Sequence, residues 1–362
     1  MRARTNGADR EPDERTRAIV RRRAAAVGAI ALGCAAIGLS VALSTRGRTV
    51  RASASTRGGA AVRGHGSGPS SSSSAPSAFA VGLRVLRFVD QSRQIELPDG
   101  RRQPRALVTY VRYPAVGPAT GTDLSNAAAA RADGPFPLVI FGHGFALTPK
   151  PYARMLQSWA RAGYVVAAPV FPRENANAPG GPDESDLINQ PADMSLVISR
   201  LLALSAGGTG PLAGIIDPKK IAVTGHSDGG DTALAVAYDG SYRDARVGAA
   251  VILSGAEIPE AGSIAFPPAG PPLLAVQGTA DTVNPPGATN AFFITARRPK
   301  YLLTLIGAEH LPPYSEQQPQ LSIVERVTTA FLDAYLKHEP NALAQLGRIG
   351  NARGTASLLA EP

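Results

Sequence analysis

Cysteine is almost absent from this chain of 362 residues, in which Cys34 is the only one. A single cysteine excludes an intramolecular disulfide, so the folded part must be held together by packing. Because Cys34 lies near the N-terminus, a cysteine nucleophile and a thiolate metal site are excluded from the rest of the chain. Histidine, aspartate and glutamate also show no clustering at metal-ligand spacing, so the sequence predicts neither a metal nor a cofactor.

A surplus of positive charge is missing from most of the chain, although the net charge is +9. Residues 1–78 contain 13 arginines and 4 acidic residues, which leaves 24 basic and 24 acidic residues in the remainder. The balanced part therefore has no basic excess of the kind that favours nucleic-acid binding. We expect no nucleic-acid partner.

An uncharged segment, residues 24–45, follows a cluster of arginines near the N-terminus. Its length and apolar composition suit a helix that crosses a bilayer, and the arginines ahead of it predict a cytoplasmic N-terminus with the rest of the chain outside. Cleavage stays open as an alternative, because Ala52-Ser53-Ala54 fits a signal-peptidase site and Leu32-Gly33-Cys34 resembles part of a bacterial lipobox. Cleavage would give a secreted or a lipid-anchored protein.

Composition divides the chain into five segments. Residues 46–78 are rich in serine, glycine and arginine and cannot bury enough apolar surface to fold, so we expect a flexible tether there. The predicted segments are a basic cytoplasmic segment (1–23), a transmembrane segment or signal peptide (24–45), the tether (46–78), a folded domain (79–338) and a C-terminal tail (339–362).

The folded domain begins with two strand-like runs, residues 81–89 and 106–113, on either side of the turn sequence Pro98-Asp99-Gly100. They predict an antiparallel hairpin at the edge of a sheet. From residue 137, strand and helix patterns alternate, which is typical of a mostly parallel α/β sheet with helices on both faces. The further strands are expected at 138–141, 164–169, 247–253, 273–277 and 301–306, and the helices at 152–162, 186–204, 288–296 and 321–337.

The sequence IAVTGHSDGG, residues 221–230, joins a buried-strand pattern to a helix-forming run. Within it, Gly225-His226-Ser227-Asp228-Gly229 fits the G-x-S-x-G nucleophile elbow, whose glycines permit a sharp turn that strains the serine. Ser227 would then lie at a helix N-terminus, where the backbone dipole favours a developing negative charge. Ser227 is therefore the predicted nucleophile, and a glycine-rich turn without a chemical role is the alternative.

A serine nucleophile requires a histidine as general base and a carboxylate that orients it. His310 directly follows the last parallel strand, at the carboxyl end where such sheets form their sites, and the other four histidines lie in less suitable places. Asp281 comes between Ser227 and His310, which is the chain order found with this elbow. It also directly follows a strand. Glu257 is the second choice for the carboxylate.

Acyl transfer further requires N–H groups that point at the developing negative charge. One is expected from Asp228, the residue after the nucleophile. The other is expected from Phe145 in the sequence FGHGF, residues 141–145, whose glycines let the loop pass close to a substrate. The Asp228 carboxylate so near an oxyanion requires a compensating neighbour or an outward rotamer.

These motifs resemble those of α/β-hydrolases of the serine-esterase branch, over about residues 79–337. The pattern is similar to dienelactone-hydrolase-like, platelet-activating-factor-acetylhydrolase-like and chlorophyllase- or cutinase-like members. The sequences that carry the resemblance are VRYP (111–114), FGHGF (141–145), IDPKKIAVTGHSDGG (216–230), QGTAD (277–281) and AEH (308–310). The resemblance implies an α/β-hydrolase fold with Ser227, Asp281 and His310 as the catalytic triad.

Two features limit this resemblance. Dienelactone hydrolases proper use a cysteine at the elbow, so their substrate class does not carry over to Ser227. The segment between the strand around Val251 and Leu273 is short and rich in proline, so no large lid is expected.

The sequence thus predicts a membrane-tethered, extracytoplasmic serine hydrolase that cleaves carboxylic esters, with a small-molecule, lipid or polymer ester as substrate and no cofactor. An amidase or peptidase with the same triad stays open. So does a tethered binding domain without catalysis, whose sign would be the loss of a triad member, and none is missing.

Overall fold

The computed structural model describes residues 78–258 and 264–362. The predictions for the basic segment, the membrane segment and nearly all of the tether fall on residues 1–77, outside the described residues. In the described ranges, no helix combines the length and the apolar character needed to cross a membrane.

The described residues form one sheet of ten strands, in the order β10-β9-β8-β7-β6-β4-β5-β2-β1-β3. Strands β4 to β9 run parallel to one another, whereas β1 with β2, β2 with β5 and β9 with β10 pair antiparallel. The strands are β1 (Ala80–Glu96), β2 (Arg102–Ala115), β3 (Leu124–Ser125), β4 (Phe136–Gly142), β5 (Val165–Val170), β6 (Ile216–His226), β7 (Val247–Leu253), β8 (Leu273–Gly278), β9 (Lys300–Leu305) and β10 (Ala356–Glu361).

The strands at the centre of the sheet are continuous apolar runs because helices cover both of their faces. Residues 138–141 of β4 and 249–253 of β7 are completely buried. The α-helices are α1 (Ala153–Arg161), α2 (Gln190–Ala206), α3 (Asp228–Tyr238), α4 (Pro286–Thr295), α5 (Pro312–Ser315), α6 (Gln320–Leu332) and α7 (Ala342–Gly350). This is the α/β-hydrolase architecture predicted from the sequence, including the antiparallel hairpin of β1 and β2.

A buried ion cluster attaches this hairpin to the helical layer. Arg105 on β2 donates hydrogen bonds to Asp186, at 2.6 and 2.7 Å, and to Asp193 of α2, at 2.6 to 2.9 Å. All three side chains are nearly inaccessible to solvent. A charge so deeply buried is tolerated only when it is paired and fully hydrogen-bonded.

The C-terminal part of the chain differs from the prediction. Residues 339–362 were expected to form a tail, but they contain α7 and β10, and β10 pairs with β9 from Ala356 to Glu361. The domain boundary at residue 338 is therefore too early. A strand at the edge of a sheet needs only one hydrogen-bonded neighbour and keeps one side in solvent, so ASLLAE can form it without a strong apolar pattern.

The connection from β7 to β8 is the place where a lid was not expected. Its described residues, 254–258 and 264–272, form no helix. The predicted site residues lie in the loops that follow the carboxyl ends of β4, β6, β8 and β9.

Candidate active site

The turn between β6 and α3 has the strained geometry that the elbow sequence predicts. Ser227 has φ 55° and ψ −127°, a backbone conformation that residues other than glycine rarely adopt. A Cβ atom on Gly225 would overlap the main chain of Gly229, and a Cβ on Gly229 would overlap that of Gly142. The glycines are thus required because α3 begins in direct contact with β6 and with the loop after β4.

The three predicted triad residues lie together at the carboxyl ends of their strands. His310 Nε2 lies 2.9 Å from Ser227 Oγ, and His310 Nδ1 lies 2.8 Å from Asp281 Oδ2. All three side chains are buried, with small exposed fractions of 6%, 3% and 6% for Ser227, Asp281 and His310. In this arrangement the imidazole can accept the hydroxyl proton at Nε2 while Nδ1–H donates to the carboxylate.

The Asp281 carboxylate is held by its own loop. Its Oδ1 accepts the backbone N–H groups of Val283 and Asn284 at 3.0 and 2.9 Å, and Gln277 Nε2 lies 3.3 Å from its Oδ2. One oxygen therefore organises the turn and the other faces His310. Glu257, the second choice, accepts instead the N–H of Ile264 at 3.4 Å.

The loop after β4 passes close to the serine. A Cβ atom on Gly144 would lie 3.1 Å from Ser227 Cβ and 3.3 Å from His226 Nδ1. Within the part of the chain that the structure describes, the N–H of Phe145 makes no hydrogen bond, and Asp228 is the first residue of α3. The loop after β4 and the start of α3 thus both lie beside Ser227, where the sequence predicts the two N–H donors.

A second carboxyl group accompanies Asp228. Glu174 is completely buried, and its carboxyl accepts a hydrogen bond from Gln190 Nε2. Burial and then the negative charge of Asp228 raise the pKa of Glu174 well above its usual range. The protonated form of Glu174 is therefore favoured, and its hydroxyl can donate a hydrogen bond to the Asp228 side chain. The sequence did not identify this hydrogen-bonding neighbour of Asp228.

Two other buried histidines support the loops of the site. His143 donates from Nδ1 to the carbonyl oxygen of Gly144 (2.9 Å) and accepts at Nε2 from the Phe171 N–H (3.0 Å). Burial lowers its pKa to about 4, so it is neutral at physiological pH. His226 contacts the main chain of His310. Sequence reasoning considered both only as rivals for the general base, because Phe171 and His310, which they contact, are distant in the chain.

Among the described residues, no three or more histidine, cysteine, aspartate or glutamate side chains form a group that could hold a metal ion. The side chains that join Ser227 to His310 and Asp281 are proton donors and acceptors, and backbone amides lie in the adjacent loop. Such a set can perform nucleophilic substitution at a carbonyl group.

Comparison with known proteins finds a family model and solved structures that are similar to this chain. The family model for chlorophyllase matches residues 125–271. The solved structure of the ferulic acid esterase from Streptomyces cinnamoneus is similar with a TM-score of 0.55 and 22% sequence identity, over 75% of this chain and 94% of that one. No curated protein matches the chain.

The sheet order, the elbow and these matches support one class of protein, the α/β-hydrolase superfamily. Within that class, the matches support an esterase-type hydrolase.

Proposed function

We propose that this protein is a serine hydrolase that cleaves carboxylic esters through an acyl-enzyme. The observation that carries the proposal is the continuous hydrogen-bonded path from Ser227 Oγ through His310 to Asp281, with distances of 2.9 and 2.8 Å. Its position beside the glycine loop supports the same mechanism, since a nucleophile, a base and oxyanion donors are the components that acyl transfer needs.

In the proposed mechanism, Ser227 Oγ attacks the ester carbonyl carbon while His310 Nε2 takes the hydroxyl proton. The carbonyl oxygen becomes negatively charged and is stabilised by the N–H groups of Phe145 and Asp228. His310 then gives its proton to the departing alcohol oxygen, which leaves an ester of Ser227. Water, activated by His310, hydrolyses that ester and restores the free serine, while Asp281 stabilises the imidazolium in both halves of the reaction.

An amidase or peptidase would use the same residues, and the name of the structural neighbour favours the ester. Comparison of p-nitrophenyl esters of two to eight acyl carbons with the matching p-nitroanilides separates the two. We expect a higher kcat/KM for the esters. Methyl ferulate and a polyester film extend the panel to aromatic and polymeric substrates. A preference for the anilides would reassign the protein to the amidases.

Ser227→Ala tests the mechanism itself. In the full chain we expect kcat for the best ester to fall by a factor on the order of 10⁶, as removal of the nucleophile does elsewhere. The parent protein should also be labelled covalently by a fluorophosphonate at Ser227, as peptide mass spectrometry would show. Inertness of both proteins on the whole panel, together with no labelling, would instead favour a binding domain without catalysis.

We further propose that residues 24–45 tether the protein to the membrane, with the catalytic domain on the outer side. The basis is the uncharged segment behind the arginine cluster. The full chain is then expected in a carbonate-resistant membrane fraction, with the domain accessible to added protease in intact cells. A soluble form whose N-terminus is residue 55 would show signal-peptidase cleavage. Release by Cys34→Ser would show a lipid anchor.

A further inference from the structure

His226, the residue between Gly225 and Ser227, is completely buried and contacts the loop that carries the proposed base. Its Nε2 lies 2.9 Å from the main-chain oxygen of His310, and its Nδ1 lies 2.7 Å from the hydroxyl of Tyr152. Tyr152 is also completely buried, and its hydroxyl accepts the N–H of Gly144 at 3.4 Å.

The donors and acceptors in this chain of contacts determine each other. A carbonyl oxygen can only accept a hydrogen bond. His226 Nε2 must therefore carry the proton and donate a hydrogen bond to the carbonyl oxygen of His310. Neutral His226 then accepts at Nδ1, which makes the Tyr152 hydroxyl the donor there. The hydroxyl oxygen has a lone pair left for the Gly144 N–H. Every donor in the series has one acceptor.

The series joins both sides of the candidate site. At one end is Gly144, in the loop that precedes the Phe145 N–H, and at the other is the backbone of His310. The rings of His226 and His310 lie 4.6 Å apart between centroids. Burial and the neighbouring His310 hold the pKa of His226 well below its usual range. Neutral His226 therefore does not oppose the imidazolium that His310 becomes during the reaction.

We propose that His226 and Tyr152 are positioning residues that fix the main chain of His310 relative to Ser227 and to the oxyanion loop. The inference rests on the proposed hydrolase function. The hydrogen bond from His226 fixes the distance between the His310 main chain and the elbow, and Tyr152 fixes the His226 tautomer that can donate this hydrogen bond. The His310 imidazole is therefore already oriented towards Ser227 Oγ.

The first arm of the test measures kcat and KM of the full chain on its best p-nitrophenyl ester. Misplacement of a catalytic group by about 1 Å costs on the order of 100-fold, so His226→Leu should lower kcat by about 10- to 100-fold with KM nearly unchanged. Glutamine places an amide nitrogen near the position of Nε2, so His226→Gln should recover most of that loss. Tyr152→Phe should lower kcat by about tenfold.

Tyr314→Phe is the matched control. Tyr314 is a completely buried tyrosine whose ring also packs on His226, at 4.9 Å between centroids, but its hydroxyl contacts Ser254 and the Val276 oxygen. A loss caused only by weaker packing around His226 would appear in both tyrosine variants. The inference requires a kcat within about twofold of the parent for Tyr314→Phe.

The second arm does not depend on turnover. In proton NMR of the full chain, the hydrogen bond between His310 Nδ1 and Asp281 should give a low-field resonance. This resonance should shift or broaden in His226→Leu and Tyr152→Phe and should stay in place in Tyr314→Phe. Tyr152→Phe keeps the ring that packs on Phe141 and carries the test if His226→Leu does not fold.

The two arms distinguish two failures. An inert parent whose resonance moves in Tyr152→Phe would retain the positioning inference and remove the proposed function. An active, Ser227-dependent parent whose kcat and resonance are unchanged in His226→Leu and Tyr152→Phe would overturn the inference alone. Equal losses in Tyr152→Phe and Tyr314→Phe would also overturn it.

Discussion

At the scale of single residues, the Asp281 carboxylate makes two kinds of contact, one with each oxygen. An aspartate directly after a strand commonly organises a turn, and Asp281 does so through Oδ1, while its Oδ2 faces His310. The same turn that fixes the carboxylate therefore aims it. Position after a strand did not by itself single out Asp281, because Glu257 also follows a strand.

We predict that Asp281→Asn lowers kcat by about 10⁴-fold with little change in KM, because an amide favours the wrong tautomer of His310. Glu257→Gln, which alters the other candidate carboxylate, should retain at least half of the parent kcat. Both are measured by steady-state hydrolysis of a p-nitrophenyl ester. Loss of activity in Glu257→Gln together with retention in Asp281→Asn would assign the orienting role to Glu257.

The proximity of Ser227, Asp281 and His310 could be predicted because each residue follows a buried strand and the chain order is restrictive. The supporting residues could not, because their partners have no regular spacing. His226 and His310 are 84 positions apart, and Tyr152 and His226 are 74 positions apart. The Glu174 side chain reaches Asp228 through a loop whose path the sequence does not fix.

At the scale of secondary-structure elements, the close packing of α3 against the loop after β4 depends on glycine. Gly229→Ala would place a methyl group inside the main chain of Gly142, so the helix start and the oxyanion loop must separate. We predict that this variant has a free energy of unfolding lower by about 1–3 kcal/mol, the usual cost of overpacking, and that its kcat falls to a small fraction of the parent value.

Gly347→Ala is the control for that prediction. Gly347 lies inside α7, where an added Cβ atom meets no neighbouring atom within 4 Å. Alanine there should raise the free energy of unfolding by about 0.5–1 kcal/mol through helix propensity and leave kcat unchanged. Urea denaturation measures both changes, and equal stability of the two variants would contradict the packing argument.

Elements with long apolar runs were predicted well, whereas polar and edge elements were not. The hairpin strands extend to Glu96 and Arg102, beyond the expected ends, because solvent-facing arms need no apolar alternation. Strands β3 and β10 were missed for a related reason. A two-residue strand and an outer strand gain their structure from the neighbour with which they pair rather than from their own composition.

At the scale of the whole molecule, buried titratable groups oppose one another in their effect on stability. The fold lowers the pKa values of His143 and His226. Their contribution to the free energy of unfolding is therefore complete above the pKa of an unfolded histidine, about 6.5, and is lost as the pH falls below that value. Glu174 has a raised pKa, so its contribution is complete below the unfolded value and declines as pH rises towards its folded pKa.

We therefore predict that the two histidines make the free energy of unfolding rise with pH up to about 6.5, whereas Glu174 makes it decline from its unfolded pKa of about 4.3 towards its folded pKa. Glu174→Gln keeps a neutral hydrogen-bonding side chain and removes the titration, so it should abolish the decline and leave the rise. Glu316→Gln, at an exposed glutamate, should reproduce the parent curve. Urea denaturation between pH 5 and 9 provides the measurement, and a decline that persists in Glu174→Gln would show that Glu174 is not its source.

The sheet order has a consequence for how catalytic competence is acquired. Ser227 and His310 are 83 positions apart in the chain, and the loop after β4 approaches the serine only when β4 and β6 are neighbours. Contacts between residues so far apart in the chain form slowly, because the entropy of closing a long loop is lost before the contact stabilises the fold. No fragment of the domain holds the whole constellation. A newly made molecule is thus expected to be active only after all the central strands of the sheet have paired.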